Sequence, residues 1–488
     1  MGQISMSTNN FLAILPQIAL LLLVGIILII DIFSKKSKNK NLLGWSVSIG
    51  LIFIIIIMIL FTYPGGEPKS AWGGMLRVDS ASFIFQIIIL IGAFITTLFS
   101  MNHKQYGSRG EYYAMLLISV IGMNFMVAST DLIMLYLAIE TTAIPLYILS
   151  GFITNDNKSV ESGLKYLLFG AVTSAVMLYG FSLLYGFSGE TQFGNLIIAI
   201  EKGMIPNGLK LVILFMVLAG FGFKVSSVPF HFWAPDVYEG SPTPISGFLS
   251  TASKAAGFIV LIRFLSSVYS FDQQSWMLLV AMLATVSMFL GNLLALVQKN
   301  MKRLLAFSSI GHAGYILIGV ASGNQLGIKG AMYYLLAYLF TNLAAFGVIH
   351  IVEMKTGSSE IEQFRGLIKK SPGLALIFLV ALLSLAGIPP FGGFISKILV
   401  FSAAVQANLI WLALVGIINS IIGLYYYLIV IKSTFSDSDD TESIPIYLSW
   451  KIALGICVVG IIVLGIFFNP WMKWMSEASI NMMLLYFY

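Results

Sequence analysis

Leu51-Ile-Phe-Ile-Ile-Ile-Ile-Met-Ile-Leu-Phe61 contains no polar side chain, and Ile87-Ile-Ile-Leu-Ile-Gly-Ala-Phe-Ile-Thr-Thr-Leu98 offers only two threonine hydroxyls. Such runs cannot lie against water. About 20 apolar residues cross the hydrocarbon core of a bilayer as a helix, and lipid admits only helices or closed barrels. A barrel strand alternates in polarity; these runs do not. The whole chain agrees. Of its 488 residues 58% are hydrophobic and 10% are charged, against about 25% charged in a soluble protein. The fold class is therefore an all-α polytopic membrane protein.

Working outward from these runs, apolar spans fall at roughly 11–31, 42–62, 80–100, 111–129, 131–151, 160–186, 207–230, 242–268, 274–298, 302–321, 326–352, 372–403, 408–432 and 447–470. Most links are short, so neighbouring helices are antiparallel. Segment 191–203 suits a short interfacial helix. The tail after Pro470 carries Trp471, Trp474 and Tyr486, side chains that favour the headgroup zone. The first apolar run, Phe11 to Ile30, is full spanning length and has no basic flank before it, unlike a secretory signal.

Orientation follows from the basic residues. With the N-terminus outside, the cytoplasmic links collect the larger share of the 27 lysines and arginines, among them Lys35, Lys36, Lys38, Lys40, Lys104, Arg109, Lys302, Arg303, Lys369 and Lys370. The opposite side holds Lys69, Arg77, Lys202, Lys210, Arg263, Lys329 and Lys473. The expectation is a multi-pass protein with both termini outside. The net charge of +6 is spread over short loops and forms no nucleic-acid-binding face. A single cysteine, Cys457, excludes a disulfide framework and a thiolate-bound cluster.

Lys165, Lys224, Lys254 and Lys397 fall inside the spans, as does Glu140. A charge at the centre of a lone helix costs about 2.5–3.5 kcal/mol on insertion scales. It persists where it faces the bundle interior, a partner or water, so its default reading is an ion or proton pathway. Glu140 lies about 13 Å into span five at 1.5 Å per residue, and Lys224 is also deep. The two can offset each other's desolvation. The plainer reading is a static salt bridge, but apolar residues of similar volume stabilise as well, whereas a separable pair makes a proton switch. Lys254 sits among small and hydroxylated residues in Ser250-Thr-Ala-Ser-Lys-Ala-Ala-Gly257, and Lys397 follows Pro389-Pro-Phe-Gly-Gly-Phe-Ile-Ser396. Lys165 is near a span end, where snorkelling to the interface is an equal reading. His231 and His312 are relay candidates because histidine titrates near neutrality. A lone buried histidine is more often structural, and nothing pairs two of the four for haem ligation.

Two spans carry helix-weakening residues: Gly220, Gly222 and Pro229 in the seventh, and Gly387, Pro389, Pro390, Gly392 and Gly393 in the twelfth. Proline removes a hydrogen bond and clashes with the preceding turn. The breaks are five spans apart, so two repeats containing them would be inverted, a transporter arrangement in which ions bind at the breaks. Asp236 and Glu239, in the link after span seven, suit a proton-collecting mouth or a loop cap equally. No P-loop, dinucleotide fingerprint, nucleophile elbow or metal-spaced set occurs.

The stretch Phe223-Lys-Val-Ser-Ser-Val-Pro-Phe-His-Phe-Trp-Ala-Pro-Asp-Val-Tyr-Glu-Gly-Ser-Pro-Thr-Pro244, continued in Ser253-Lys-Ala-Ala-Gly-Phe258, resembles the proton-conducting membrane subunits of respiratory complex I. So do Lys302-Arg-Leu-Leu-Ala-Phe-Ser-Ser-Ile-Gly-His-Ala-Gly-Tyr315 and Ala386-Gly-Ile-Pro-Pro-Phe-Gly-Gly-Phe394. The resemblance implies fourteen helices in four divisions: helices one to three (1–110), two inverted five-helix repeats (111–270 and 271–434) with discontinuous helices seven and twelve, and helix fourteen with an interfacial tail (435–488). It implies that Glu140, Lys224, Lys254 and Lys397 match the family's buried charged axis. It further implies no cofactor on this chain, with FMN, iron–sulfur clusters and quinone in partner subunits, and as neighbours the antiporter-like subunit M, the small subunits K and J, and phospholipid in a bacterial inner membrane. Protons would pass from Glu140 and Lys224 to Lys254 and Lys397 and be replenished past His231. Other classes consistent with the residues are a cation/proton antiporter subunit, a structural membrane anchor and, more remotely, a haem subunit.

Overall fold

The computed structural model describes residues 8–34, 41–65, 68–270, 273–437 and 442–483. Lys35, Lys36, Lys38, Lys40 and Tyr486, used above for orientation and for the tail, lie outside the described residues.

Helix α1 (Thr8–Ser34) leaves one face of the bundle, called here the first face, and α2 (Leu42–Phe61) returns to it. The link to α3 (Ser80–Ser100) is a β-hairpin of β1 (Lys69–Ala71) and β2 (Leu76–Val78), in register Ser70↔Arg77. Gly73 and Gly74, both at positive φ, form the turn. Then come α4 (Gly110–Ala128), α5 (Leu132–Ser150), α6 (Asn157–Ser188) and the short α7 (Phe193–Glu201), which lies where an interfacial helix was expected. Helix α8 (Asn207–Val225) is followed by a break and by α9 (Trp233–Gly240) at the second face. Next, α10 (Thr243–Phe248) continues through a wide π-type turn, 249–253, into α11 (Lys254–Val268).

The remaining crossings are α12 (Gln273–Leu296), α13 (Met301–Ala321), α14 (Gln325–Thr356), the half-helices α16 (Pro372–Ala386) and α17 (Gly392–Gln406), α18 (Ile410–Thr434) and α19 (Leu448–Ile466). A one-turn α15 (Leu367–Lys370) precedes α16, and α20 (Phe468–Met483) ends the described chain. Thirteen helices among the described residues are long and apolar enough to cross a membrane, and α16 with α17 supplies a further crossing. Helix α4 starts from the second face and α12 from the first, so the two five-crossing sets that they open are inverted. The tail is a helix, not an extended strip: Met475, Ala478 and Met482 are buried, a helical spacing.

The first break differs from expectation in position. Helix α8 continues through Gly220 and Gly222 and ends only at Ser226, which adopts a left-handed conformation (φ 58°). Glycine weakens a helix by about 1 kcal/mol but keeps its hydrogen bond; Pro229 does not. The glycines serve close packing instead. A Cβ on Gly220 would meet Met177 at 2.4 Å, and one on Gly222 would meet Phe230 at 2.5 Å. The second break lies where expected, with Gly387 (φ 83°) capping α16. The Val228–Pro229 and Pro389–Pro390 bonds are cis.

Helix α13 and the 243–268 helix are wholly enclosed by other helices, and α14 nearly so, whereas α1, α6, α12 and α18 expose most of their apolar surface. The centre is thus shielded from lipid, where a polar side chain must find its partners inside the protein.

Candidate functional site

Glu140 sits near the middle of α5, partly open to the outside of the bundle, and accepts a hydrogen bond from the Ser174 hydroxyl of α6. Lys224 lies in the last turn of α8 and is buried, and its Nζ has no hydrogen-bond partner among the described residues. The two side chains do not touch. They line one small cavity of about 10 Å³ with Tyr147, Ser174 and Gly220, a volume close to that of a single water position. The expected pair is therefore a facing pair with a gap, not a closed salt bridge.

Gly257 on α11 packs against Lys224; a Cβ there would lie 3.3 Å from that of Lys224. One turn before it, Lys254 donates to the Ser309 carbonyl (3.0 Å) and hydroxyl (2.9 Å) of α13. The π-type turn ends immediately before Lys254; such turns interrupt helices mostly at functional positions. Lys397, buried on α17, donates to the Ala386 carbonyl and to the Ser420 hydroxyl, each at 2.8 Å, and stands 4.9 Å above the Tyr315 ring. Ala386 ends α16, so Lys397 caps a helix C-terminus whose carbonyls lack intrahelical partners. The break makes room for it, since a Cβ on Gly387 would stand 2.7 Å from Lys397 Cδ.

Between Lys254 and Lys397 lies His312. Its Nδ1 is 2.7 Å from the Tyr334 hydroxyl and its Nε2 is 3.1 Å from the Tyr427 hydroxyl, which also bonds Ser308. Ser308 and Ser309 are neighbours on α13, so hydroxyl and imidazole groups run from the Lys254 partner to His312, and Tyr315 continues to Lys397. Asn292, Asn419 and Tyr426 form a further buried polar group beside Tyr315 and Ser420. The structure brings Lys224, Lys254, His312 and Lys397 into one buried row, with Glu140 at its outer end.

His231 and Lys165 lie apart from the row. His231 is buried in the break after α8, against Phe232 at 4.5 Å, and its Nδ1 has no partner among the described residues. Lys165 bonds Glu161 at 2.6 Å and Asp236 at 2.5 Å at the second-face end of α6. Arg303 bridges Asp236 (2.7 Å) and Glu239 (3.0 Å), and Lys158 bonds Glu239 (2.7 Å). Burial alone would raise both carboxyls, but Lys165 and Arg303 beside Asp236, and Lys158 and Arg303 beside Glu239, hold them below their ordinary range. Through these ion pairs the two acids tie the loop to α6 and α13.

A cavity of about 320 Å³ opens at the same face, lined by His103, Lys302, His350, Glu353, Ser241 and Thr243 among others. Lys302 donates to the Ser241 carbonyl at 3.0 Å and lies 3.5 Å from Glu353, which accepts from Thr243. Burial pushes the loop histidine His103 down to about 4, with Glu353 pulling weakly the other way. Tyr238 Oη, Asn342 Oδ1 and Tyr338 Oη are buried with no well-formed hydrogen bond among the described residues, and both tyrosines approach Ser309. Buried polar atoms are seldom left bare, and water is their usual partner.

Sequence reading missed the hydrogen-bonded tyrosine and serine network around His312, the cavity and the depth of Lys302. One signal was available: Tyr334, Tyr338 and Asn342 follow one another at four-residue steps along one stripe of α14.

The geometry agrees with comparison to known proteins. Residues 129–423 match the family model for NADH:quinone oxidoreductase/Mrp antiporter transmembrane subunits. The chain is 41% identical to NADH-quinone oxidoreductase subunit N of Desulforamulus reducens over 94% of its length and 96% of that relative. A chain of respiratory complex I from Thermus thermophilus, solved with bound aureothin, superposes with TM-score 0.80 at 30% identity, covering 95% of this chain and 99% of that one. A chain of the Mrp complex from Dietzia shares the fold at TM-score 0.84 and 21% identity, covering 96% and 98%.

Proposed function

The chain belongs to the NADH:quinone oxidoreductase/Mrp antiporter transmembrane family, among the subunit N chains of NADH-quinone oxidoreductase, and on that premise we propose that its buried row carries protons across the membrane. It is an antiporter-like, multi-pass subunit of the membrane arm of a multi-subunit translocase.

One observation carries the residue assignment. Lys224, Lys254 and Lys397 are buried, and none of them makes a salt bridge among the described residues. A buried charge held for packing alone should be paired or replaced by apolar side chains. Three ammonium groups resting on hydroxyls, carbonyls and a small cavity suit groups that exchange protons. Glu140 and Lys224 form the switch, and Lys254, His312 and Lys397 pass the proton on. The cavity at Lys302 and Glu353 is the inlet, with Tyr238, Asn342 and Tyr338 leading water to Lys254; His231 is a side branch.

Each proton moved against 100 mV requires about 2.3 kcal/mol. Quinone reduction elsewhere supplies it, with FMN, iron–sulfur clusters and quinone in partner subunits and no redox centre on this chain. The neighbours are subunits M, K and J and phospholipid, and a neighbour packed on α5 and α6 would cover the partly open Glu140. The membrane is the bacterial inner membrane, with both termini outside and the second face cytoplasmic. The working units are 1–110, 111–270, 271–434 and 435–488.

Sealed vesicles of the assembled complex test this. Glu140→Gln and Lys224→Ala should lower protons per electron at equal NADH oxidation. Unchanged stoichiometry in both would leave only a membrane anchor. The shared fold of the Mrp chain favours one second reading, cation/proton antiport, which sodium-dependent transport would support.

A further inference from the structure

Asp79 caps α3 at the first face. Its Oδ1 accepts from the Ser82 amide at 2.8 Å, and its own amide donates to the Ser82 hydroxyl at 3.0 Å. The same carboxylate, wholly buried, receives both arms of Arg263 from α11 at 2.7 and 3.0 Å. Arg77 of β2 stands 3.3 Å from it as well, and donates to the Asn481 carbonyl of α20 at 3.3 Å. Two guanidiniums share one carboxylate, so one positive charge is left over in a site almost closed to solvent. Sequence patterning placed Arg77 and Arg263 among exposed outer-face charges; Arg263 is 0% exposed.

A cap and a packing tie need only the Asp79–Arg263 pair, whose charges cancel. The second arginine requires another reason, and the polar groups beneath it supply one. Helices α3, α4 and α11 pack on one another there, and α3 and α4 carry Gln86 and Asn124. Gln86 donates to the Asn124 carbonyl at 3.1 Å, while the Asn124 side-chain amide is buried without a hydrogen-bond partner among the described residues. Lys254 lies nine residues further down α11 from Arg263, about 13 Å along the axis. A polar seam therefore stands between the middle of the charged row and the first face, and the unmatched charge sits at its outer end.

We propose that the Arg77–Asp79–Arg263 cluster is an electrostatic barrier against proton leak through the first face, with Arg77 supplying the excess charge. The proposal rests on the proton-carrying reading of Lys254. Arg77 is a positioning residue that takes no proton itself. At an effective dielectric near 20, a unit charge about 13 Å from a proton alters its occupancy close to tenfold, and a proton crossing the seam passes nearer to Arg77 than Lys254 lies.

The test uses the assembled complex in sealed proteoliposomes. Arg77→Met leaves the neutral pair intact, and Arg77→Lys keeps the charge. Two quantities are read: decay of an imposed pH gradient without NADH, above that of protein-free vesicles, and protons per electron with NADH. Arg77→Met should speed the decay roughly tenfold and lower the stoichiometry, with potassium permeability unchanged, and Arg77→Lys should restore both. A tight Arg77→Met complex overturns the barrier, as does an Arg77→Lys complex equally leaky, since packing and not charge would then matter. The Lys224→Ala comparison separates the two failures. If it still loses protons while Arg77→Met stays tight, only the barrier falls; if it too keeps full stoichiometry, the proton reading beneath the barrier falls with it.

Discussion

Gly387→Ala should damage pumping in a way that the matched substitution Gly357→Ala does not. Gly387 has φ 83°, and an added Cβ would stand 2.7 Å from Lys397 Cδ and 3.1 Å from its Nζ. Alanine in the left-handed region costs about 1–2 kcal/mol. The clash itself is relieved cheaply, because the lysine chain swings away. Swinging removes its bonds to the Ala386 carbonyl and the Ser420 hydroxyl, both 2.8 Å. A hydrogen bond from a charged group contributes about 1.5–3 kcal/mol, so losing both changes the energy of a proton on Lys397 by about 3 kcal/mol or more, over a hundredfold in the rate of a hop through it. The control is Gly357→Ala, also at positive φ (75°) but with no atom within 4 Å of the added Cβ. Gly357→Ala should lose about 1–2 kcal/mol in thermal unfolding of the purified complex and Gly387→Ala about 3 kcal/mol more, and only Gly387→Ala should lose protons per electron in vesicles. Equal pumping by the two would refute the role given to the break.

His312→Phe keeps ring volume but removes the links to Tyr334 and Tyr427, and should cut pumping at least tenfold with assembly intact on native gels. Asn342→Leu places an apolar side chain between the second-face cavity and Lys254; stopped-flow proton uptake from the second face should slow, while Lys165→Ala should leave it near normal. Asp236 is held ionised by Lys165 and Arg303, so its folded carboxyl lies below its unfolded value. Its stabilising effect is fully present above the unfolded value and is lost as pH falls through the folded one. Thermal stability should thus be insensitive to Asp236→Asn only in strong acid, and a variant effect that persists there would contradict the assignment.

The apolar spans, the proline breaks and the four buried charges were legible because each leaves a local mark: a run of fitting length, a residue that removes a hydrogen bond, a charge where none is affordable. What was not legible depends on which helices meet. Gly220 and Gly222 look like breaks in a sequence, yet they are contact points for Met177 and Phe230. Lys302 and Arg263 lie near span ends and count as loop charges until α14 and α3 are placed against them. The gap between Glu140 and Lys224 reflects the spacing of α5, α6 and α8, which no periodicity encodes. The α14 stripe from Tyr334 to Asn342 is the exception: its spacing was on the page and only its neighbours were unknown.

The central claim is that the lysines in the row carry protons, and Lys254 is its middle link, held by Ser309 and by no acid. The most direct measurement is protons translocated per electron by the assembled complex in sealed vesicles, comparing Lys254→Ala with the wild type at matched NADH oxidation. The expected result is a lowered ratio with electron transfer retained. A ratio equal to wild type would mean that the buried lysines serve the architecture of the bundle and that protons cross elsewhere.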